Sequence, residues 1–497
     1  MFKNFPGYKV LEKIQKNKSH KRERKLPLNA IKLIFIVAIT SVIALLPTES
    51  FGIEGLTVVH QRIISMFVFA ALMWLTEAMP SWVTSMVVVT IMLFTVSTSA
   101  FSFLRPEGGA GLIPFKNIMA CFANPTIMLF IGGFVLAIGL TKVKLDVALA
   151  RVLLKPFGTR SEVVLLGFIL VTAIFSAFVS NTATAAMMLA FLTPVLKSLP
   201  ADGKGRIALA LAIPVGANLG GMITPIGTPP NMIALDYLSS QGMGISFVDW
   251  TIKMAPFVIV LLVLAWLLLR FLFPFKQKHI KIEIEGDIKW NRHTWAVVAA
   301  FVITIFMWMF GTDLWGIDTN VVAMLPIAIF CATGILTRRD LEEINWSVLW
   351  MVAGGFALGV ALNYKDASSV SLSSLIVESV PFDNFSPLMV MILAGLICFG
   401  FSNFISHSAA TSLLVPVLGV VAGGLGASLE QYGGAQAMLV GIAIASSVSM
   451  ILPISTPPNA IAHSTGFIEQ KDMMKVGIII GLMGLALGYA MLIFIGF

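Results

Sequence analysis

Two short polar motifs interrupt long apolar stretches of this 497-residue sequence, and the first is Ser180-Asn181-Thr182. It lies in the middle of residues 163–196, which carry no charged side chain. A turn at this position inside lipid leaves backbone N–H and C=O groups without helical partners, so it must be buried in protein or line a wet cavity. Its hydroxyl and amide groups can bind a ligand, or they can simply cap two half-helices.

The second motif, Gly227-Thr228-Pro229-Pro230-Asn231, interrupts the apolar segment 206–235. Proline lacks a backbone N–H and disrupts the preceding helical turn, so two prolines in succession exclude a continuous helix. The motif therefore predicts a broken helix with free carbonyls on one side of the break and amides on the other. A single break of this kind is equally compatible with a kink that has no role in binding.

Both motifs recur later in the chain, as Ser406-His407-Ser408 and Ser455-Thr456-Pro457-Pro458-Asn459. The spacing from Asn181 to Asn231 is 50 residues, and from His407 to Asn459 it is 52. Recurrence of two polar breaks at nearly the same spacing favours a binding site over two structural kinks.

Longer matches identify this recurrence as a duplication. Segments 224–231 and 452–459 match at an offset of 228, and 131–140 resembles 353–362 at an offset of 222. The serine motifs match at an offset of 226, or at 222 if Ser402-Asn403 is paired with Ser180-Asn181; we prefer 226 because it aligns more of the surrounding residues. We expect a first repeat at about 61–273, a linker at 274–294 and a second repeat at about 295–497.

The apolar runs are continuous rather than alternating, which predicts transmembrane helices and excludes a β-barrel. We expect an all-α polytopic membrane protein of about 11 transmembrane helices, since one crossing takes about 20 residues. The predicted spans are 31–46, 61–79, 81–100, 125–141, 206–235, 251–273, 294–311, 319–336, 345–362, 434–465 and 473–496.

Two apolar segments, 163–196 and 384–429, are too long for one crossing, yet each has both flanks on one side of the membrane in this threading. They predict two re-entrant hairpins that enter from opposite faces. Each repeat then has five crossings and one hairpin, and an odd number of crossings inverts the second repeat. Inverted repeats that meet at a midplane site are typical of secondary transporters.

The composition excludes a water-soluble protein, because 58% of the residues are hydrophobic and 12% are charged. The formal net charge of +8 is concentrated in a basic tail, residues 1–30, with Lys32 just beyond it. Basic residues accumulate on cytoplasmic flanks of membrane proteins. We therefore expect a multi-pass protein of the inner (plasma) membrane with a cytoplasmic N-terminus, in contact with the lipid bilayer and without a nucleic-acid partner.

The hairpins contain no Lys, Arg, Asp or Glu, so a site between them offers hydroxyls, amides, carbonyls and helix ends. Helix N-termini attract an anion, while bare carbonyls suit a small hard cation. A multiply charged anion would be incompletely neutralised by the protein, and a co-bound cation would supply the missing charge. This is a physical reason for ion coupling.

An enzyme is not expected. A Ser/His hydrolase at His407 would lack an acidic orienting residue in the same hairpin. His407 is either a hydrogen-bonded packing residue or a sensor of protons or anions. The three cysteines, Cys121, Cys331 and Cys398, are far apart in the sequence and indicate neither a disulfide framework nor a metal site.

At these residues the sequence resembles the divalent anion/sodium symporter family, whose members carry Na+-coupled dicarboxylates, citrate or sulfate. The resemblance extends from about residue 30 to the end of the chain. It implies a homodimer with a scaffold part, about 31–141 and 294–362, and a transport part, about 163–273 and 384–496. The transport part would move across the membrane as an elevator, carrying both hairpins and both broken helices.

The resemblance also implies site residues by position. One Na+ site would use Ser176, Ser180, Asn181 and Gly227, and a second would use Ser402, Ile405, His407 and Ser455. The substrate-binding residues would be Ser180, Asn181, Thr182, Thr228, Ser406, His407, Ser408, Thr456 and Pro457. The family's second motif is usually another Ser-Asn-Thr, so His407 replaces an amide oxygen that could face Na+, and this departure leaves open altered stoichiometry, proton involvement or Na+-independent exchange.

The sequence thus predicts a secondary active transporter that couples Na+ to the symport of a di- or tricarboxylate. A C4-dicarboxylate such as succinate, malate or fumarate is the expected substrate, with Na+ as the coupling ion. The alternatives are a Na+-independent dicarboxylate exchanger, a sulfate/sodium symporter and a cation/proton antiporter.

Overall fold

The structure is a computed structural model that describes residues 26–200, 203–280, 290–365, 370–381 and 385–496. Most of the predicted basic tail and residues 281–289 of the predicted linker lie outside these ranges. Within them the protein is helical, which confirms the prediction of an all-α membrane protein.

The helices up to the linker follow in chain order. They are α1 Leu26–Leu45, α2 Val58–Thr76, α3 Ser81–Thr95, α4 Phe115–Ala120, α5 Pro125–Lys142, α6 Leu145–Leu154, α7 Ser161–Phe178, α8 Asn181–Ser198, α9 Gly205–Gly220, α10 Pro229–Ser240 and α11 Phe247–Leu272.

The helices after the linker follow a similar order. They are α12 Arg292–Trp315, α13 Thr319–Val322, α14 Met324–Ala332, α15 Arg338–Glu342, α16 Trp346–Asn363, α17 Leu372–Ser379, α18 Pro387–Ser402, α19 His407–Leu425, α20 Gly434–Ser447, α21 Pro457–Ser464 and α22 Gln470–Phe494.

Eight helical stretches within the described residues are long and apolar enough to cross a membrane. They are Val58–Thr76, Phe115–Lys142, Ser161–Phe178, Phe247–Leu272, Arg292–Trp315, Trp346–Asn363, His407–Tyr432 and Gln470–Phe494. Shorter apolar helices account for the other predicted spans. The spans predicted at 206–235 and 434–465 are each two helices, separated by 221–228 and 448–456.

Local signals in the sequence set several helix ends. Glu77 ends α2 in the left-handed region at φ 48°, and Pro80 precedes the start of α3. Asn124 caps α5 by accepting the Thr126 N–H at 2.7 Å, and Pro125 follows at the first helical position, where no N–H is needed.

The two predicted hairpins are helix pairs that reverse direction. Both α7 and α8 pack against α9, whose 16 residues span about 24 Å. Placed end to end, α7 and α8 would extend for about 54 Å, so they contact α9 together only because the chain turns back between them. In the second half, α18 and α19 both pack against α20 in the same way.

The two halves meet through reciprocal contacts. Helix α21 packs against α8 and α9, and its counterpart α10 packs against α19 and α20. The helix after the break in each half thus contacts the same two elements of the other half, which is the pattern of a two-fold relation. The broken helix of each half therefore lies against the hairpin of the other.

Helix α16 lies between α3 and α19 and approaches both closely through a glycine pair. A Cβ atom at Gly354 would collide with Ser85 of α3, and one at Gly355 would collide with Ser412 of α19. Small residues at a membrane helix interface allow backbones to approach in this way.

Candidate functional site

The first polar motif forms the tip of the first hairpin. Helix α7 ends at Phe178, Val179 is extended, and α8 begins at Asn181. The Ser180 side chain caps α8 by accepting the Ala183 N–H at 3.3 Å. The hydroxyl therefore satisfies one of the four free N–H groups that begin every α-helix, and the others stay available at the tip.

The second hairpin has its tip at the matching serine. Helix α18 ends at Ser402, α19 begins at His407, and the Ser406 side chain accepts the Ala409 N–H at 3.2 Å. Ser180 and Ser406 thus play the same capping role, which supports the offset of 226 over the alternative of 222.

Each Pro-Pro pair begins a helix, as the sequence predicts. Thr228 and Thr456 are the N-cap residues of α10 and α21, with extended backbones at φ −146° and −136°. The prolines occupy the first helical turn, where they contribute the helix dipole but no N–H group. The first turns of α10 and α21 therefore offer fewer backbone N–H groups to an anion than the proline-free first turns of α8 and α19.

Paired asparagines hold the unwound segments in shape. The Asn231 amide donates to the carbonyls of Gly221 and Thr224, at 3.0 and 2.9 Å. The Asn459 amide donates to the carbonyls of Met450 and Leu452, at 2.9 and 3.1 Å. Buried carbonyls without helical partners need such donors, so these two residues stabilise the breaks.

Asn218 of α9 joins the two halves. Its buried Nδ2 donates to Thr456 Oγ1 at 3.2 Å and to Asn459 Oδ1 at 3.1 Å. A helix of the first half is thereby bonded to the break of the second, in the same protein core that both hairpins contact.

Three oxygens surround the Asn181 side-chain amide beside the first hairpin tip: the Ser176 hydroxyl and the carbonyls of Gly227 and Ala217. With its NH2 turned inward, Asn181 donates to the Gly227 carbonyl at 3.1 Å and to the Ala217 carbonyl at 3.2 Å, and the nitrogen lies 2.6 Å from Ser176 Oγ. The Ser176 hydroxyl also donates to the Ala217 carbonyl at 2.7 Å. A half-turn of the amide replaces the NH2 by the oxygen, which then faces the same three groups.

This cluster accommodates a small hard cation. Carbonyl, hydroxyl and amide oxygens are the ligands that such ions prefer, and oxygens that face each other without hydrogens repel unless a cation lies between them. The NH2 group satisfies the two carbonyls without an ion, whereas the amide oxygen, turned inward, would add a fourth oxygen ligand for a cation. No group of three or more His, Cys, Asp or Glu residues within the described ranges could hold a metal instead.

The second hairpin tip has a different chemistry. His407 Nε2 lies 2.6 Å from the Ser449 carbonyl, and since a carbonyl only accepts, Nε2 carries the hydrogen. The His407 carbonyl accepts Ser446 Oγ at 3.0 Å, and Ser402 Oγ donates to the same Ser446 hydroxyl at 3.3 Å. Ser446 and Ser449 are not among the predicted site residues, and Ser402 was predicted only as an oxygen ligand of Na+.

The remaining predicted residues lie on both sides of this network. Ser180, Asn181, Thr182 and His407 are partly exposed, and Ser406 and Pro457 are exposed. Thr228, Thr456, Ser408, Ser402, Ile405 and Ser455 are buried. The structure thus links tip 1, both breaks and tip 2 through hydrogen bonds, with the exposed groups at the two tips.

Sequence reasoning missed Asn218, which joins the two halves, and Asp236, which lies beside a cavity whose lining does not include the hairpin-tip residues. Asn218 was overlooked because its repeat position holds Ser446, although an amide in an apolar span is itself a signal. Asp236 of α10 was overlooked because it lies outside the hairpins. Its Oδ1 accepts Thr126 Oγ1 of α5 at 2.8 Å, beside a cavity of about 1300 Å³ that extends between α5, α10, α16 and α19.

Helices broken within apolar segments, paired by a two-fold relation and joined by uncharged polar groups, define a secondary transporter. The chain belongs to the sodium:sulfate symporter family, since residues 28–496 match the family described as "Sodium:sulfate symporter transmembrane region". It is a multi-pass membrane transporter and not an enzyme, and the family implies a small anionic substrate. The predicted resemblance is confirmed.

Curated relatives cover nearly the whole chain. An uncharacterized transporter of Haemophilus influenzae is 30% identical over 469 residues, covering 91% of this chain and 94% of the relative. The Staphylococcus aureus (strain USA300) protein named sodium-dependent dicarboxylate transporter SdcS is 27% identical over 494 residues, covering 92% and 90%. The solved Alcanivorax borkumensis YdaH transporter resembles the fold at a TM-score of 0.53 and 13% identity, covering 86% of this chain and 97% of that structure.

Proposed function

We propose that the protein couples Na+ to the import of a C4-dicarboxylate such as succinate, malate or fumarate. The observation that carries the proposal is the cluster of the Ser176 hydroxyl and the Gly227 and Ala217 carbonyls around the Asn181 amide, whose oxygen reaches them by a half-turn, beside a tip that offers free helix amides. The relative named as a sodium-dependent dicarboxylate transporter supports both the ion and the substrate class.

Na+ binds between the Asn181 amide oxygen, the Ser176 hydroxyl and the carbonyl of Gly227, with Ser180 at the adjacent cap. The Ala217 carbonyl completes the cluster. Binding turns the Asn181 amide so that its oxygen faces the ion and its NH2 faces away. The side chain thereby gains a donor for the substrate at the moment that the ion is bound.

The dicarboxylate binds across the two hairpin tips and the two breaks. Ser180, Asn181 and Thr182 contact one carboxylate, and Ser406, His407 and Ser408 contact the other. Thr228, Thr456 and Pro457 line the space between them. The first turns of α8 and α19 supply N–H groups and the positive ends of two helix dipoles.

Coupling follows from charge. Without a basic side chain in either hairpin, two carboxylates are neutralised only in part by helix dipoles, each worth about half an elementary charge. The ion at Asn181 adds a full positive charge within the same water-poor region, where electrostatic attraction is stronger than in bulk water. The protein therefore binds Na+ more tightly when the anion is bound, and it binds the anion more tightly when Na+ is bound.

The protein forms a homodimer in this proposal and transports its substrate by an elevator mechanism. The first repeat, 61–273, and the second, 295–497, are related by inversion, which the reciprocal contacts of α10 and α21 support. The transport part, 163–273 and 384–496, slides against the scaffold part, 31–141 and 294–362, along α16, where Gly355 approaches Ser412 of α19. The protein lies in the inner (plasma) membrane with a cytoplasmic N-terminus.

Uptake of labelled succinate into proteoliposomes, with and without an inward Na+ gradient, tests the function. We expect uptake above equilibrium only with the gradient, and competition by malate and fumarate but not by sulfate. Uptake that ignores Na+ and requires internal dicarboxylate would identify an exchanger. Competition by sulfate alone would identify a sulfate symporter, and cation transport without any anion would identify an antiporter.

A further inference from the structure

The two hairpin tips are related by the repeat but differ in what surrounds them. In the first half, Asn181 places its side-chain amide against a hydroxyl and two carbonyls, so that a half-turn of the amide brings an oxygen to face them. At the offset of 226, the same position in the second half holds His407, whose ring presents an N–H group to a carbonyl.

Two oxygens of the second half that correspond to members of the first cluster also have partners within the protein. Ala445 corresponds to Ala217 at the offset of 228, and its carbonyl accepts Ser449 Oγ at 2.8 Å. Ser402 corresponds to Ser176, and its hydroxyl donates to Ser446 Oγ at 3.3 Å. Asn403, the nearest amide, is used as well, because its Oδ1 accepts the Ile451 N–H at 2.9 Å.

A cation does not fit this arrangement. The Nε2 hydrogen of His407 is directed at the Ser449 carbonyl, so an ion at that carbonyl would face a donor hydrogen instead of a free oxygen. This holds whether the imidazole is neutral or charged, since Nε2 carries a hydrogen in both forms with this bond. The segment that carries His407 is held at two points, because its carbonyl accepts Ser446 Oγ at 3.0 Å and its ring bonds the Ser449 carbonyl at 2.6 Å.

We infer that the hairpins bind one Na+ per chain, at Asn181, and that the His407–Ser449 hydrogen bond closes the position where a second Na+ would bind. This inference rests on the proposed Na+ coupling and fixes its stoichiometry. A dicarboxylate dianion carried with one hairpin-bound Na+ moves one net negative charge inward, whereas two ions would make the complex neutral.

Two reciprocal substitutions test the inference. Asn181→His closes the first position, and His407→Asn restores an amide oxygen at the second. His293→Asn and Asn345→His are matched controls at exposed positions away from the hairpins. Purified protein is unfolded thermally in detergent at rising NaCl, with choline chloride holding the ionic strength constant, so that the readout does not depend on transport.

Each bound ion that is specific for the folded state stabilises it by about 1.4 kcal/mol per tenfold rise in ion concentration above its Kd. The wild type and both controls should therefore show one slope of unfolding midpoint against log[NaCl]. Asn181→His should lose the slope, and His407→Asn should roughly double it. In proteoliposomes, Na+ activation of succinate uptake should have a Hill coefficient of about 1 in the wild type.

A residual slope in Asn181→His, or a wild-type Hill coefficient near 2, would show that the second position binds Na+ and would overturn the inference. If either hairpin variant fails to fold, the number of Na+ ions is still tested by the wild-type Hill coefficient and by the effect of membrane potential on uptake. An inside-negative potential should slow wild-type uptake. No response of the wild type to Na+ in any assay would instead overturn the proposed function itself.

Discussion

Asn218 Nδ2 lies 3.1 Å from Asn459 Oδ1, so an amide of the first half supports the residue that holds the break of the second half. Asn459 uses its own NH2 on the Met450 and Leu452 carbonyls. The shape of the second break therefore depends on a residue that lies 241 positions earlier in the chain.

Asn218→Ala removes the only described donor to Asn459 Oδ1 and leaves that buried oxygen without a partner. We expect a loss of about 1–3 kcal/mol in the free energy of unfolding, the usual cost of an unsatisfied buried polar group. Thermal unfolding in detergent should show a lower midpoint, and succinate uptake should fall with it. Asn345→Ala, at an exposed N-cap without a side-chain cap, should leave both unchanged.

Thr456→Ala and Thr228→Ala should separate structure from binding. Thr456 caps α21 by accepting the Asn459 N–H at 3.1 Å, whereas no side-chain bond from Thr228 caps α10. We expect Thr456→Ala to lose about 1 kcal/mol of stability and Thr228→Ala to lose much less. Both should lower succinate uptake more than Thr333→Ala, an exposed control, and equal uptake in all three would contradict the site assignment.

Gly221→Ala should weaken Na+ binding although it replaces none of the proposed ion ligands. A Cβ atom at Gly221 would collide with the Asn181 amide, which has to shift out of the oxygen cluster. We expect a several-fold higher Na+ concentration for half-maximal uptake. Gly423→Ala is the control, because its Cβ would meet nothing within 4 Å. A normal Na+ dependence in Gly221→Ala would place the ion elsewhere.

Asp340→Asn should destabilise the protein in a pH-dependent way. Asp340 in the connector α15 pairs with Lys142 at the end of α5 and accepts the Thr337 N–H at 2.6 Å. Burial alone raises the pKa of this carboxyl, but the hydrogen bonds from Lys142 and Thr337 outweigh it and hold the pKa below its usual value.

A carboxyl with a lowered pKa stabilises the fold at pH values above its unfolded pKa of about 3.9, and this contribution is lost as the pH falls further. We expect Asp340→Asn to lose about 2 kcal/mol at pH 7, the scale of hydrogen bonds to charged groups. The difference in unfolding midpoint between variant and wild type should shrink as the pH is lowered from 5 to 3. A difference that grows on acidification would contradict the ion pair.

Much of the site could be predicted because its signals are local. A serine at a chain reversal and a Pro-Pro pair after threonine specify helix starts through the covalent structure of those residues, so Ser180, Ser406, Thr228 and Thr456 were predicted at or beside helix ends. The partners of these residues could not be predicted. Asn218 and Thr456 meet only because two distant halves pack together, and no single-sequence pattern records that contact.

The same limit explains the surroundings of Asn181 and His407. The sequence shows that one is an amide and the other an imidazole. Which carbonyls they face depends on segments about 40 residues further along the chain, and on how each break unwinds. Asp236 and Thr126 are likewise brought together by the packing of α10 against the rest of the fold.

The proline pairs at the starts of α10 and α21 have a consequence for turnover. A transporter must bind its substrate tightly enough to capture it from dilute solution and weakly enough to release it on the other side of the membrane. Two successive prolines at each of these helix starts, four residues in all, lack a backbone N–H group in every conformation. These positions therefore never add a backbone donor for the anion, and under the proposed coupling the departure of Na+ leaves only the amides of α8 and α19 and uncharged side chains to hold the solute.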